Sequence, residues 1–198
     1  MTEAHKQARR EQITAAALRC FGRDGFHATT MDQIIGEAGL SAGAVYQYFP
    51  SKRALILHLA KTVTEGFADL IGREVGREPL EPPAQALPRL VARLTPFLTE
   101  HGADKARVAL QGWAEATRDP ELLEAAQRVA ARSRGLMADW LLRWREAGMI
   151  DPSVDPALAA PAMQSLLTGI LIQRALTADF DQDAYARGMA ELIGRGPA

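Results

Sequence analysis

Residues Thr29 to Arg53, TTMDQIIGEAGLSAGAVYQYFPSKR, carry the clearest structural pattern in the N-terminal part of the chain. Its pattern predicts a helix over residues 31–38, a tight turn at Gly39, Leu40 and Ser41, and a short helix over residues 42–48. Glycine suits such a turn because it adopts the left-handed conformation without steric cost. Two short helices joined in this way are typical of a helix-turn-helix, whose second helix lies in the major groove of DNA.

The second predicted helix carries side chains suited to DNA. Gln47 can pair with adenine through two hydrogen bonds, and the Ala44 methyl can contact a thymine methyl. The hydroxyls of Tyr46 and Tyr48 and the ammonium of Lys52 can reach phosphate oxygens. Each tyrosine is equally suited to a core position, so the prediction rests on the co-occurrence of these residues within one short segment.

The charge distribution and the cysteine count limit the classes of protein to which this chain can belong. Up to Arg53 there are seven Lys and Arg against five Asp and Glu, whereas the remainder has sixteen against nineteen. The resulting positive N-terminal part favours a polyanionic partner. The single cysteine, Cys20, excludes an intramolecular disulfide and a multi-cysteine zinc site, and its helical spacing with Ile13 and Phe21 predicts a buried thiol, with a redox sensor as the alternative.

The rest of the chain also has the pattern of helices. Apolar residues recur at spacings of three and four, as in Leu87, Leu90, Val91, Leu94 and Leu98, and no sustained period-two alternation occurs. Helices are predicted over about residues 6–24, 31–38, 42–48, 52–75, 84–100, 104–117, 120–147, 156–178 and 181–194. No signal peptide and no segment apolar enough to span a bilayer is expected. The single cysteine fits a reducing, cytoplasmic location.

The N-terminal quarter resembles the TetR family of regulators. The patterns F-x-x-x-G-[FY], T-[TV], A-G-[VL]-S and G-x-[VL]-Y-x-[YH]-F-x-[SN]-K follow one another here without a gap, within about residues 6–60. The matching residues are Phe21, Gly25, Phe26, Thr29, Thr30, Ala38, Gly39, Leu40, Ser41, Gly43, Val45, Tyr46, Tyr48, Phe49, Ser51 and Lys52.

The resemblance implies an all-α fold of nine helices. Residues 1–52 would form a three-helix DNA-binding head, and residues 53–198 a body for ligand binding and dimerisation. The resemblance also implies a dimer on a palindromic double-stranded operator. Positions that match the DNA contacts of the family are Thr30, Ser41, Ala42, Gly43, Ala44, Tyr46, Gln47, Tyr48 and Lys52.

Two positions depart from the family pattern. Many members carry a polar residue where this chain has Ala42, and often threonine where it has Ala44. Base recognition is therefore expected to depend on Gln47, on methyl contacts and on DNA shape.

The body offers predictions for the dimer and for an effector. The segments from Pro156 to Ala178 and from Asp181 to Ile193 match the pairing helices of the family, with a buried helix of a monomer as the alternative. A small-molecule effector, hydrophobic or aromatic, is expected among the middle helices, with Gln111 and Glu115 as further polar anchors. The candidate lining residues are Phe67, Phe97, His101, Leu110, Trp113, Met137, Trp140 and Trp144, and for each of them a place in the hydrophobic core is the alternative. No metal or cofactor is expected, since the four histidines are scattered.

The preferred function is that of a transcriptional repressor, released from its operator by the effector. Two other classes of function fit parts of the sequence. Residues 39–43 match G-x-S-x-G, with Ser41 as nucleophile of a hydrolase, but that motif requires a preceding strand and none is predicted. The second class is a helical interaction module without DNA binding. It remains an alternative because Ala42 and Ala44 leave the second helix with few side-chain hydrogen bonds for DNA.

Overall fold

The computed structural model describes residues 2–102 and 104–194, apart from the side chain of His101. Within these ranges the chain forms nine α-helices and no β-strand, which confirms the all-α prediction. A single turn of 3-10 helix, Glu100–Gly102, precedes the sixth helix. The helices are α1 Glu3–Ala28, α2 Met31–Ala38, α3 Ala42–Tyr48, α4 Lys52–Val75, α5 Pro83–Thr99, α6 Lys105–Ala116, α7 Pro120–Glu146, α8 Pro156–Leu176 and α9 Gln182–Gly194.

Local capping explains why α2 and α3 begin and end where predicted. The Thr30 hydroxyl accepts from the Gln33 N–H, and the Gln33 side chain accepts from the Thr30 N–H, which together form a capping box. Gly39 ends α2 in the left-handed conformation, with φ 64° and ψ 33°. The Ser41 hydroxyl then accepts from the Ala44 N–H at the start of α3.

Helix α1 extends further than its sequence predicts. It begins at Glu3, because the Thr2 hydroxyl accepts from the His5 N–H, and it continues to Ala28. The predicted stop at Gly25 is a break within the helix, where φ is 84° and ψ is 165°. One further turn follows the break and leads directly to the cap of α2.

The described chain divides into two compact units. The first comprises Met1–Val63 with Leu98–Ala126, and the second comprises Thr64–Phe97 with Gln127–Ala198. The core of the first unit is built on fully buried side chains that include Ile13, Phe21, Leu55 and Leu59. Cys20 is buried in this core, as predicted, and burial raises the pKa of its thiol.

The second unit is organised by tryptophans and by a buried ion pair. Trp140 and Trp144 stack with ring centroids 4.4 Å apart, and Trp144 Nε1 donates to the Glu81 carbonyl at 2.8 Å. The Glu74 carboxylate is buried and accepts from Arg89 Nε at 2.9 Å, so the charge has a partner. These contacts hold the segment between α4 and α5 against its neighbours within this unit.

Helices α8 and α9 pack closely in the second unit. The Tyr185 hydroxyl on α9 donates to the Leu166 carbonyl on α8 at 2.8 Å. A Cβ at Gly169 would lie 2.7 Å from that hydroxyl, so any larger residue there would displace the end of the Tyr185 side chain. No helix in the described part of the chain is both long enough and apolar enough to cross a membrane.

Candidate DNA-binding site

Helix α3 presents an open face of small and polar residues. Val45 and Phe49 are buried and anchor the helix to the core of the first unit. Ser41, Ala42, Gly43, Tyr46 and Gln47 are exposed, and Ala44 is half-buried. On the exposed side, the residues near Gly43 have little or no side chain, whereas Tyr46 presents a hydroxyl and Gln47 an amide. This arrangement can place a helix backbone close to base edges.

Tyr48 lies differently from Tyr46. Its hydroxyl is buried and has no hydrogen-bond partner among the residues that the structure describes, whereas Tyr46 is 46% exposed. In this conformation Tyr46 can reach a phosphate, and Tyr48 contributes its ring to the core beside α3. A contact from the Tyr48 hydroxyl to DNA would require its side chain to rotate.

Lys52 is engaged within the protein. Its ammonium donates to the carbonyls of Phe26 at 2.8 Å, His27 at 3.2 Å and Thr29 at 2.8 Å. These three acceptors lie at the end of α1, where helical carbonyls lack partners within the helix. Lys52 therefore fixes the end of α1 to the start of α4, and all three of its donors are directed to protein oxygens.

Replacing Lys52 with methionine is expected to lower the free energy of unfolding by about 2 kcal/mol, since three carbonyls lose a charged donor. Urea denaturation measures this change. Lys6→Met is the matched control, because Lys6 forms only an exposed pair with Glu3 and should change stability little. If stability is unchanged and the slope of log affinity against log salt concentration falls by about 1.8 for the dimer (about 0.9 for each Lys52), Lys52 is instead a phosphate contact.

Helix α6 also contacts the end of α1. Gln111 Oε1 accepts from the Phe26 N–H at 2.7 Å, and Gln111 Nε2 donates to the Phe21 carbonyl at 3.2 Å. His27 Nε2 lies 3.0 Å from Glu115 Oε1, in an exposed pair. Both polar anchors predicted for an effector, Gln111 and Glu115, are thus engaged with α1.

Arg53, at the start of α4, pairs with Asp119, just before α7, and with Glu121 in the first turn of α7. Its guanidinium lies 2.9 Å from Asp119 Oδ2 and 3.0 Å from Glu121 Oε2. Arg53 is exposed, so each pair stabilises the head only slightly. Neither these contacts nor those of Gln111 are signalled by the sequence, because the partners lie more than sixty positions apart.

The predicted effector residues fall into two groups. Phe67, Phe97, Leu110 and Trp113 are half-buried and retain accessible apolar surface. Met137, Trp140 and Trp144 are buried and belong to the core. The side chain of His101 lies outside the described part of the structure.

The surroundings of Ser41 do not support a hydrolase. The motif of residues 39–43 lies between helices α2 and α3, and the Ser41 hydroxyl caps α3. A nucleophile elbow requires a strand before the serine, whereas here a helix precedes it.

The capped α2, the left-handed glycine turn and the exposed α3 define a helix-turn-helix DNA-binding protein. Residues 13–59 match the family model of bacterial regulatory proteins of the TetR family. Residues 83–195 match that of the C-terminal region of BetI-type transcriptional repressors. The chain belongs to the TetR family, with a BetI-type C-terminal region, and is a transcriptional regulator.

Individual relatives agree with this assignment. An HTH-type transcriptional repressor of Mycobacterium tuberculosis is 38% identical over 74 residues, which are 37% of this chain and 40% of that protein. The chain thus spans less than half the length of the curated relatives that it matches at this level of identity.

Solved structures share the fold along nearly the whole chain. A transcriptional regulator from Saccharomonospora viridis, in complex with choline, has a TM-score of 0.77 at 22% identity and covers 94% of this chain and 95% of its own. FadR from Bacillus subtilis, in complex with stearoyl-CoA, has a TM-score of 0.73 at 18% identity and covers 95% and 99%. At these identities the likeness concerns the fold alone.

Proposed function

We propose that the protein is a one-component repressor that binds a palindromic operator as a dimer and leaves it when a small molecule binds. The open face of α3 carries this proposal. Residues 1–52 form its DNA-binding domain and residues 53–198 its effector and dimerisation domain. It acts in the cytoplasm, where its operator is accessible.

The proposed DNA contacts divide by chemistry. Gln47 binds a base edge, the Ala44 methyl contacts thymine, and Tyr46 donates to a phosphate. Ala42 and Gly43 allow close approach, while backbone N–H groups at the capped starts of α2 and α3, next to Thr30 and Ser41, face the phosphates. Lys52 and Tyr48 support this surface from within the head, on the geometry described above.

The proposed dimer forms through α8 and α9. The exposed residues of α8 carry no charge, and two of them, Leu158 and Leu176, are 79% and 75% exposed. Eighteen positions separate these leucines, which is five helical turns, so they share one face. Leu192 on α9 is 74% exposed. An uncharged apolar stripe of this kind favours a second copy of the chain as its partner.

The proposed effector is apolar or aromatic. Proteins of the same fold have been solved with ligands as different as choline and stearoyl-CoA, so the fold accommodates varied chemistry. Within the second unit, the half-buried Phe67 and Phe97 are the candidates for contact. Binding shifts the population toward a state whose half-site spacing no longer fits the operator. Helix α4 continues from one unit into the other and is the element proposed to carry this change.

Fluorescence anisotropy tests the proposal. The protein is titrated against DNA from upstream of its own gene and against a scrambled duplex, at several salt concentrations. Preferential binding to the natural fragment, weakening steeply with salt, is expected. If the protein does not prefer the natural fragment, its binding sequence is selected from a pool of random duplexes. Failure to enrich any sequence would refute DNA recognition. An enriched duplex then serves to screen apolar and aromatic compounds for release.

A further inference from the structure

The break in α1 is joined by one side chain from another helix. A helix interrupted at Gly25 leaves backbone N–H and C=O groups that need other partners. Gln111 supplies one of each kind, since its amide accepts from the Phe26 N–H after the break and donates to the Phe21 carbonyl before it. The carboxamide therefore fixes the angle between the two parts of α1.

The same short segment determines where the helix-turn-helix begins. Only Thr29 and Thr30 separate the end of α1 from the start of α2. Thr29 is fully buried, and its hydroxyl donates to the Gly25 carbonyl at 2.8 Å. The ammonium of Lys52 donates hydrogen bonds to the carbonyls of Phe26, His27 and Thr29. Residues 25–30 are thus fixed by side chains from α4 and from α6.

Helices α2 and α3 have eight and seven residues. Helices this short do not hold a conformation by themselves, so their orientation comes from the segment that leads into them and from the core. Hydrogen bonds to base edges weaken steeply when distances or angles change. A change of angle at Gly25 would therefore reduce base recognition more than it reduces the electrostatic attraction to phosphates.

We infer that Gln111 is a positioning residue for operator recognition, although it lies on α6 and far from α3 in sequence. The inference rests on the proposed function. It predicts that loss of the carboxamide lowers sequence-specific binding, because the head remains folded but α3 is no longer held at the angle that its base contacts require. A Cβ at Gly25 would lie 3.4 Å from Gln111 Oε1, an ordinary van der Waals distance, so Gln111 lies directly against the break.

The test compares Gln111→Met, Gln111→Glu and the control Gln182→Met. Gln182 also uses both ends of its amide, donating to the Val91 carbonyl at 2.9 Å and accepting from the Thr95 hydroxyl at 2.6 Å, but it lies in the second unit. Affinities are measured for the duplex selected with wild-type protein and for a random-sequence duplex. The temperature is one at which circular dichroism shows each variant fully folded.

Gln111→Met is expected to bind the selected duplex about tenfold more weakly, which corresponds to the loss of one satisfied buried group. Its affinity for random-sequence DNA and its salt dependence should not change, because no phosphate contact is removed. Gln111→Glu keeps the acceptor for Phe26 but places a carboxylate oxygen, which cannot donate, against the Phe21 carbonyl, so it should also lower specific binding. Gln182→Met should lose stability without any change in the ratio of specific to random affinity.

The outcomes separate the inference from the proposed function. A wild-type protein without sequence preference would refute the function itself. The inference is overturned if the wild type prefers the selected duplex and Gln111→Met has the same ratio of specific to random affinity within about twofold. Gln111 would then be a purely structural residue. An equal drop in a Gln182→Met protein that light scattering shows to be still a dimer would also overturn the inference. If Gln111→Met does not fold, Gln111→Glu decides: a lowered ratio supports the inference and an unchanged ratio overturns it.

Discussion

Replacing Gly43 with valine is expected to weaken operator binding by roughly a hundredfold or more, while the free protein stays as stable as the wild type. Gly43 is exposed on α3, and nothing in the described structure lies within 4 Å of a Cβ built there. The protein itself therefore gives no steric reason for a glycine. Since helical glycine costs about 0.5–1 kcal/mol relative to alanine, a side chain should not harm the fold.

The loss of affinity follows from the space that DNA needs. If α3 lies in the major groove, a branched side chain at Gly43 occupies the gap between the helix backbone and the bases. Overpacking at a close contact costs about 1–3 kcal/mol, and a symmetric dimer incurs that cost at both half-sites. Anisotropy with the selected duplex measures the affinity, and thermal melting measures the stability.

Gly135→Val is the matched control. Gly135 is an exposed glycine within helix α7, and a Cβ there would also meet nothing within 4 Å. This variant should melt at the same or a higher temperature and bind the operator as the wild type does. A Gly43→Val protein that retains affinity within about threefold would mean that the α3 backbone does not approach DNA closely.

The helix-turn-helix was predictable because its determinants are local. Thr30 and Gln33 form the capping box, Gly39 takes the left-handed turn, and Ser41 caps α3. Each of these interactions spans three or four positions, so a short window of sequence contains the whole cause. For this reason α2 and α3 have the predicted boundaries.

The engagement of Lys52 and Gln111 could not be predicted. The amide of Gln111 meets Phe26 across 85 positions, and Lys52 meets the end of α1 across more than twenty. Periodicity shows which residues face inward, but it does not distinguish a filled core from a cavity. The spacing of Trp140 and Trp144 therefore fits either a pocket or the core, and in the structure they stack on each other in the core.

Replacing Leu176 with aspartate is expected to convert the dimer to a monomer and to abolish operator binding at nanomolar concentration. Leu176 is three-quarters exposed at the end of α8, on the same face as Leu158. Burying a leucine in an interface stabilises it by about 2 kcal/mol, and a two-fold axis places each substitution in the interface twice. The loss of about 4 kcal/mol raises the dissociation constant about a thousandfold, before the cost of desolvating the carboxylates.

Light scattering coupled to size-exclusion chromatography measures the mass, and the anisotropy assay measures binding to a full palindrome and to a single half-site. Leu192→Asp, on α9, should behave in the same way if both helices contribute. Leu123→Asp is the control, because Leu123 is an exposed leucine on α7, outside the proposed interface, and should leave the mass unchanged.

A wild-type dimer that persists in both Leu176→Asp and Leu192→Asp would place the dimer interface on another surface. A Leu176→Asp monomer that still binds the full palindrome as tightly as the wild type would mean that recognition does not require a dimer formed beforehand in solution.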